Sequence, residues 1–325
     1  MRYLKEKKIA IQAVWQASDL ARKMQGKLET LDVVNKEDLS PVTITDFSVQ
    51  ALINKHLMEA FPNDEIMGEE DTLFLRNPQH QAIKERVVEQ IEHIFPKTKE
   101  QDILDAIDKG GSEGGANRRF WVLDPIDGTR GFIDQEQYAI ALALIEKGEI
   151  VLGVLGCPRL SLREHKKGGI FVAVKGEGCS LIPYDTRKAA PVHVSSEREP
   201  KGVIYCEPHN RSQTHSHSKA HLIAKKMKAH PNPFRLDSQC KYALVAQGEA
   251  AIYLRIPVRG DQIEKIWDHA AGVIIVEEAG GKVTDLDGKA LDFTLGKTLS
   301  ANTGTVVTNG FLHDQVLEAI RETSA

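Results

Sequence analysis

FWVLDPIDGT at residues 120–129 is the most informative segment of this chain. Its first four residues are apolar and predict a buried strand, and Asp124-Pro125 predicts a rigid turn where the strand ends. The following Gly128-Thr129 is typical of a helix start, whose backbone N–H groups suit an anion. Asp124 and Asp127 would repel that anion unless divalent cations lay between them. Because Mg²⁺ commonly joins protein carboxylates to substrate phosphate, the segment predicts metal-assisted phosphate chemistry.

A simple loop turn is the alternative for this segment, since Asp, Pro and Gly are all common turn residues. Other segments favour the metal site because they supply further carboxylates. Glu69 and Glu70 follow a short apolar segment and a glycine. Asp46 lies at the start of a helical pattern, and Asp268 lies at the head of an apolar helix. Two or three Mg²⁺ ions would make a coherent site of five acids that otherwise repel one another, Asp46, Glu69, Asp124, Asp127 and Asp268.

Seven blocks of sequence between Ser40 and Gly281 resemble those of a known group of phosphatases: SPVTITDFSVQALI, GEE, WVLDPIDGTRGF, GVLGCP, LDSQCKYALVAQGEAAIYLR, EKIWDHAAG and EEAGG. The DPIDGT and WDxAAG elements resemble the lithium-sensitive, Mg²⁺-dependent phosphatase superfamily that includes inositol monophosphatase. The LDSQxKY, YLR and EKIWDHAAG elements are narrower. They resemble the 3′(2′),5′-bisphosphate nucleotidases, which cleave 3′-phosphoadenosine 5′-phosphate (PAP).

The resemblance implies an α+β metal-binding catalytic domain followed by an α/β substrate-binding domain. We place the boundary in the segment Tyr184 to Pro191, which gives domains at residues 1–186 and 187–325. Helices and sheets would alternate in an αβαβα sandwich, with the active site between the two domains. The sequence pattern itself favours an α/β second half, because predicted strands and helices alternate there. Strands are predicted at 119–123, 138–146, 150–156, 170–174, 192–194 and 203–206, and helices at 5–25, 46–61, 76–95, 216–229, 240–248 and 267–279.

The resemblance also implies a role for each acidic residue. One Mg²⁺ would be held by Glu69, Asp124 and the Ile126 carbonyl, and a second by Asp124, Asp127 and Asp268. A third, weaker ion would use Glu69 and a water held near Asp46. Asp46 and Thr129 would orient or deprotonate the attacking water as a pair. The backbone N–H groups of Gly128 and Thr129 would bind the phosphate.

Residues of the second half are expected to select the substrate. Ser238 and Lys241 lie three apart at a predicted helix start, so both are expected to face one ligand. By resemblance they contact the ribose and the phosphate that is not cleaved. Arg255 at the end of a predicted strand and His217 are further expected contacts. For each cation the alternative is a surface charge without a ligand.

The implied reaction is removal of the 3′-phosphate of PAP to give AMP, with 3′-phosphoadenosine 5′-phosphosulfate (PAPS) as a second substrate and a link to sulfate assimilation. An inositol polyphosphate 1-phosphatase with the same metal core is one alternative. A sensor that binds PAP without turnover is another. The intact set of acids counts against the sensor, and Lys241 and Arg255 favour the nucleotide.

Composition favours a soluble enzyme but does not indicate its chemistry. The chain has 325 residues, 41% hydrophobic residues and a formal net charge of −4, so no basic excess indicates a nucleic-acid or membrane partner. The apolar segment 138–145 is too short to span a bilayer. The four cysteines lack CxxC spacing, which favours a reduced intracellular protein over a zinc site. We expect a cytoplasmic monomer, with an organellar address left open.

Overall fold

The computed structural model describes residues 2–28, 33–35, 41–162, 165, 167–209, 214–257 and 263–324. Its helices and sheets stack in five alternating layers, and three apolar cores fill the spaces between them. The predicted αβαβα sandwich is therefore confirmed.

Helices of the N-terminal third form the first layer: α1 (Leu4–Gln25), α2 (Ile44–Ala60), α3 (Leu73–Arg76), α4 (Gln81–Ile94) and α5 (Glu100–Asp108). The start of α2 is fixed by a capping box, in which the Thr43 side chain accepts from the Thr45 N–H and Asp46 accepts from the Thr43 N–H. The single helix predicted at 76–95 is wrong at its start. Pro78 instead begins a 3₁₀ turn, Pro78–His80, that separates α3 from α4.

A seven-stranded sheet forms the second layer, with its strands side by side in chain order: β3 (Glu65–Gly68), β4 (Arg119–Asp127), β5 (Ala139–Glu146), β6 (Glu149–Cys157), β7 (Gly169–Val174), β8 (Gly178–Pro183) and β9 (Ala190–Pro191). Strands β3 and β4 are parallel, and the later neighbours are antiparallel. Strands β1 (Val33–Asn35) and β2 (Pro41–Thr43) form a separate pair.

Both faces of the sheet are buried along β4 to β7, which explains why these strands are apolar without alternation. Along β4, Phe120 and Val122 face one core, whereas Trp121 and Leu123 face the core beneath α1 and α2. The third layer covers the first of these faces and consists of α8 (Cys240–Ala246) and α9 (Ala270–Glu278). The short helix α6 (Thr129–Ile133) follows β4 directly.

The second sheet forms the fourth layer, in the order β11 (Phe234–Arg235), β10 (Tyr205–Glu207), β12 (Ile252–Arg255), β14 (Thr305–Thr308) and β13 (Lys282–Thr284). Helices α7 (Thr214–Lys226) and α10 (His313–Ser324) complete the fifth layer through the third core. A short 3₁₀ turn, Ile266–Asp268, leads into α9.

The predicted division after residue 186 stays a prediction. The strand expected at 192–194 is replaced by β9 at Ala190–Pro191, which pairs with β8 and extends the first sheet to that point. None of the helices in the described ranges combines the length and apolar character that a membrane span requires.

Candidate functional site

Strand β4 carries the first two acids of the site. Its pairing with β5 matches Asp124 to Ala141 and Asp127 to Ala139, so one extra residue bulges from β4 between the two acids. A bulge tolerates Pro125, which has no N–H for the ladder, and it redirects the side chains around it. The strand is thus longer than predicted, and the expected turn is an irregularity within it. The rigid sheet fixes where both carboxylates lie.

Strand β3 places Glu69 next to the carboxyl end of β4. It runs parallel to β4, and the Glu69 N–H donates to the Leu123 carbonyl at 3.2 Å. The next residue, Glu70, is buried, and the Gln50 side chain bonds both its N–H (3.0 Å) and its carbonyl (2.5 Å). A Cβ at Gly68 would lie 2.5 Å from Gln50 Oε1, so only glycine leaves room for this clamp. Glu70 is therefore no solvated surface acid.

The 3₁₀ turn before α9 supplies a fourth acid, Asp268. Carboxylate oxygens of Asp124, Asp127 and Asp268 all lie within 4.8 Å of one another. Asp268 is distant from the other two in sequence and comes from the layer between the sheets. The structure thus brings together three acids that were predicted to share a metal site.

The electrostatics of this cluster fit a bound cation. Burial, followed by the charge of Glu69 and the other acids, raises the pKa of Asp124 well above its usual range. Burial and Asp268 raise the pKa of Asp127 to about 7. Asp124 Oδ1 is buried and has no hydrogen-bond partner among the described residues. An all-oxygen donor set with an unsatisfied buried carboxylate suits a hard divalent cation.

Asp46 and Thr129, the expected catalytic pair, lie together beside this cluster. Asp46 Oδ2 accepts from the Thr43 N–H (2.8 Å) and from Thr43 Oγ1 (2.7 Å), which fixes the carboxylate. Thr129 Oγ1 lies 3.4 Å from Asp46 Oδ1 and 3.1 Å from the Ile126 carbonyl. A single hydroxyl proton can serve only one of these acceptors at a time, so Thr129 can exchange between them.

The turn at Gly128 meets the second half of the chain at Ser238. Gly128 has φ 87°, and a Cβ there would lie 3.0 Å from Ser238 Cβ. Ser238 itself has φ 68° and accepts from the Cys240 N–H at 3.2 Å. Helix α8 begins at Cys240, so Ser238 lies two residues before the helix and Lys241 lies within it.

Lys241 is buried, with 3% of its surface exposed, so the surface-charge alternative is wrong for this residue. Its Nζ donates to the Leu236 carbonyl at 3.1 Å and lies 5.3 Å from the centroid of the Tyr253 ring. Burial lowers the pKa of Lys241, while the nearby charge of Asp127 opposes the shift. The cation is thus within electrostatic range of the acidic cluster.

Arg255 ends β12 and forms ion pairs with two acids. Its Nη2 lies 2.5 Å from Glu264 and 3.4 Å from Asp268. Burial raises the pKa of Glu264, but Arg255 and His269 outweigh it and hold the value at about 2. His269 Nδ1 is bonded to the Tyr242 hydroxyl at 2.7 Å. Glu264, Asp268 and His269 also lie close enough to share a metal, but the Arg255 guanidinium already bridges their carboxylates.

Two buried residues of the site were given no role from the sequence, Glu264 and Gln239. Both lie within quoted blocks, EKIWDHAAG and LDSQCKY, which is the only signal that pointed to them. The Gln239 N–H donates to Asp127 Oδ2, and its side chain bonds Trp267 and Gly272. The expected contact His217 lies in α7, but its side chain is outside the described residues.

Comparisons with known proteins identify the family and the fold of the chain. A family model described as the inositol monophosphatase family matches residues 4–325. A protein of Schizosaccharomyces pombe named 3′(2′),5′-bisphosphate nucleotidase is 40% identical, over 98% of this chain and 96% of its own. A protein of the same name from Oryza sativa is 39% identical, over 98% of this chain and 94% of its own. The solved IMPase of Thermotoga maritima has TM-score 0.67 and 23% identity, over 97% of this chain and 96% of its own, and supports the fold.

Proposed function

Because this chain is an enzyme of the inositol monophosphatase family and groups with the 3′(2′),5′-bisphosphate nucleotidases, we propose that it removes the 3′-phosphate of PAP to release AMP and phosphate. One observation carries the proposal. Lys241 and Arg255 lie close enough to Asp127 for their charges to oppose the rise in its pKa, so two cations adjoin the acidic cluster. A substrate with two phosphates matches that pairing, one phosphate at the acids and one at the cations.

The acidic cluster would hold two or three Mg²⁺ ions through Glu69, Asp124, the Ile126 carbonyl, Asp127 and Asp268. Bound Mg²⁺ supplies a water of lowered pKa and offsets the charge that develops on the leaving oxygen. The proximity of the three aspartates and the unsatisfied Asp124 Oδ1 support this assignment.

Asp46 and Thr129 would prepare the attacking water. Thr129 Oγ1 would take a proton from the water as its own proton passes to Asp46 Oδ1, 3.4 Å away, so that Asp46 becomes protonated and the water becomes hydroxide. The bonds from Thr43 keep the Asp46 carboxylate in place during this transfer. The N–H groups of Gly128 and Thr129 would bind the phosphate that is cleaved.

The remaining parts of the substrate would meet the second half of the chain. Lys241 would exchange its bond with the Leu236 carbonyl for an oxygen of the 5′-phosphate. Ser238 and His217 would contact the ribose side of the nucleotide, and Arg255 would add a second cation. PAPS carries the same 3′-phosphate and would also be accepted, which would link the enzyme to sulfate assimilation.

The test is phosphate release from PAP, PAPS and inositol 1,4-bisphosphate, each with Mg²⁺ and with EDTA. We expect release from PAP and PAPS that requires Mg²⁺, with inositol 1,4-bisphosphate slower. LiCl should inhibit more than KCl at equal ionic strength, because Li⁺ is hard but carries too little charge to promote turnover. Preference for the inositol substrate would indicate an inositol polyphosphate 1-phosphatase. Binding of PAP without release from any substrate would indicate a sensor.

A further inference from the structure

Gln239 lies between the two segments that supply Asp127 and Asp268. It is 2% exposed and precedes α8. We infer that Gln239 is a positioning residue that holds these two carboxylates at the separation a shared cation needs, an inference that rests on the proposed metal-dependent function. It touches neither substrate nor reacting atoms and acts through the acids.

Its backbone secures the first acid. The Gln239 N–H donates a hydrogen bond to Asp127 Oδ2. This bond crosses from the second half of the chain to the bulged end of β4. It restricts the Asp127 carboxylate, and any substitution of the side chain leaves the donor in place.

Its side chain secures the second acid from two directions. Nε2 donates to the carbonyl of Trp267, the residue before Asp268, at 2.9 Å. Oε1 accepts from the N–H of Gly272 at 2.9 Å, in the first turn of α9. N–H groups in the first turn of a helix have no partner within that helix, so the amide caps α9 from outside. The segment that carries Asp268 is thus pinned on both sides.

Only an amide of this length provides both bonds. A carboxylate has no donor for Trp267, and a methionine side chain of similar size offers neither a donor nor a strong acceptor. The restraint is needed because carboxylate oxygens of Asp127 and Asp268 lie within 4.8 Å of each other, where two negative charges repel. Without the amide, we expect the Asp268 segment to relax away from Asp127, which lowers affinity for a cation bound by both.

The experiment titrates the purified full chain with Mn²⁺ by isothermal titration calorimetry, so that binding is read without turnover. Gln239→Met should weaken Mn²⁺ binding about 10- to 100-fold, the usual range when a group that orients a metal ligand is removed. Gln239→Asn keeps both polar atoms but shortens their reach, so it should fall between wild type and Gln239→Met. It also serves as the probe if Gln239→Met does not fold.

Asn309→Leu is the matched control, because Asn309 is also a buried amide that joins separate segments. Its Nδ2 donates to the Glu197 carbonyl at 2.8 Å, and its Oδ1 accepts from the Leu312 N–H at 3.2 Å. It should lower thermal stability without changing Mn²⁺ affinity. Unchanged affinity in the Gln239 variants, an equal loss in Asn309→Leu, or no Mn²⁺ binding by wild type would overturn the inference. Mn²⁺ binding that depends on Gln239 in a protein without activity on PAP would overturn only the proposed function.

Discussion

At the residue scale, the Asp46 carboxylate combines a structural bond with a proposed chemical one. One oxygen completes the capping box of α2, and the other faces Thr129. A substitution at this position therefore acts on stability as well as on turnover, and a control has to separate the two effects.

We predict that Asp46→Asn lowers kcat by roughly 10²–10⁴-fold, the range for loss of a general acid–base group. KM for PAP should change much less. Asp108→Asn is the control, since Asp108 accepts from the Thr72 N–H and Oγ1 in the way that Asp46 accepts from Thr43. Steady-state kinetics of both variants show whether the Asp46 substitution changes kcat or KM. A loss confined to KM would make Asp46 a binding residue.

The buried ammonium of Lys241 is the clearest test of the nucleotide pocket. We predict that Lys241→Met, which keeps the buried stem, costs about 1.5–3 kcal/mol on PAP, as for a lost charge-assisted bond. This corresponds to a roughly 10- to 150-fold loss in kcat/KM. Adenosine 3′-phosphate has no 5′-phosphate, so its kcat/KM should change little. Equal losses on the two substrates would assign Lys241 to the fold or to the reaction centre.

At the element scale, the strand-to-helix turn after β4 requires a glycine for two separate reasons. Gly128 has a left-handed φ of 87°, and a Cβ there would press on Ser238. Gly176 has φ 77° but nothing within 4 Å of the position of a Cβ, so it shares only the first reason.

We predict that Gly176→Ala costs about 1–2 kcal/mol of unfolding free energy, the penalty of a left-handed alanine. Gly128→Ala should cost more, and it should also reduce phosphate release, because Ser238 and the turn must shift. Urea unfolding and activity assays of the two variants provide the comparison. Similar losses of unfolding free energy in the two variants, with full phosphate release by Gly128→Ala, would show that the turn accommodates a Cβ at Gly128.

A second element-scale junction joins β13, β14 and α10 through His313. Thr284 Oγ1 donates to the Asp285 carbonyl, so it accepts from His313 Nε2–H, and Nδ1 is left to accept from Thr308. This arrangement requires a neutral ring. Burial and the charge of Lys282 accordingly lower the pKa of His313 to about 4.

The pKa of His313 is lower in the folded state, so the unfolded chain binds the extra proton as pH falls. Its contribution is complete above pH 6.5, the ordinary value, and declines toward pH 4. Between pH 7 and pH 5 the wild type should lose about 2 kcal/mol more unfolding free energy than His313→Gln, by linkage. Urea titrations at the two pH values measure this difference. Parallel losses in both proteins would contradict it.

The local sequence pattern predicted individual helices and strands better than it predicted the contacts between distant segments of the chain. The apolar run at 120–123 was enough to predict β4, and Gly128-Thr129 was enough to predict the start of α6. Asp268 entered the expected site as an acid at the head of an apolar helix, but its role as a ligand beside Asp124 came from resemblance, since no local rule predicts the distance between them. Gln239 received no role because an amide has no titratable signature, and its three partners come together only in the folded chain. The ligand and substrate roles themselves stay predictions.

At the scale of the whole molecule, the acidic cluster draws on both the first sheet and the layer behind it. Without a cation, repulsion between its carboxylates opposes that assembly. The expected monomeric state and cytoplasmic location stay predictions, because they concern surroundings that the fold does not define.

We predict that Mg²⁺ raises the thermal midpoint of the wild type, since an ion that binds only the folded state adds about 2.7 kcal/mol at 100 times its Kd. Asp124→Asn should abolish both this shift and Mg²⁺-dependent phosphate release. In EDTA the variant should melt above the wild type, because a neutral amide at this position removes the repulsion among the acids that raises the pKa of Asp124. Melting curves by circular dichroism test all three expectations. A variant that still gains stability from Mg²⁺ would remove Asp124 from the site.

The third layer, α8 and α9, affects how the chain folds during its synthesis. They share one core with β4 to β8 on one side and with residues of the second sheet, such as Tyr253 and Val307, on the other. During synthesis the first sheet leaves the ribosome well before these helices exist to cover it. The apolar face of that sheet therefore stays exposed to solvent until α8 and α9 have been synthesised. We expect a chain that stops near residue 191 to aggregate or to need a chaperone, and the two halves to mature together.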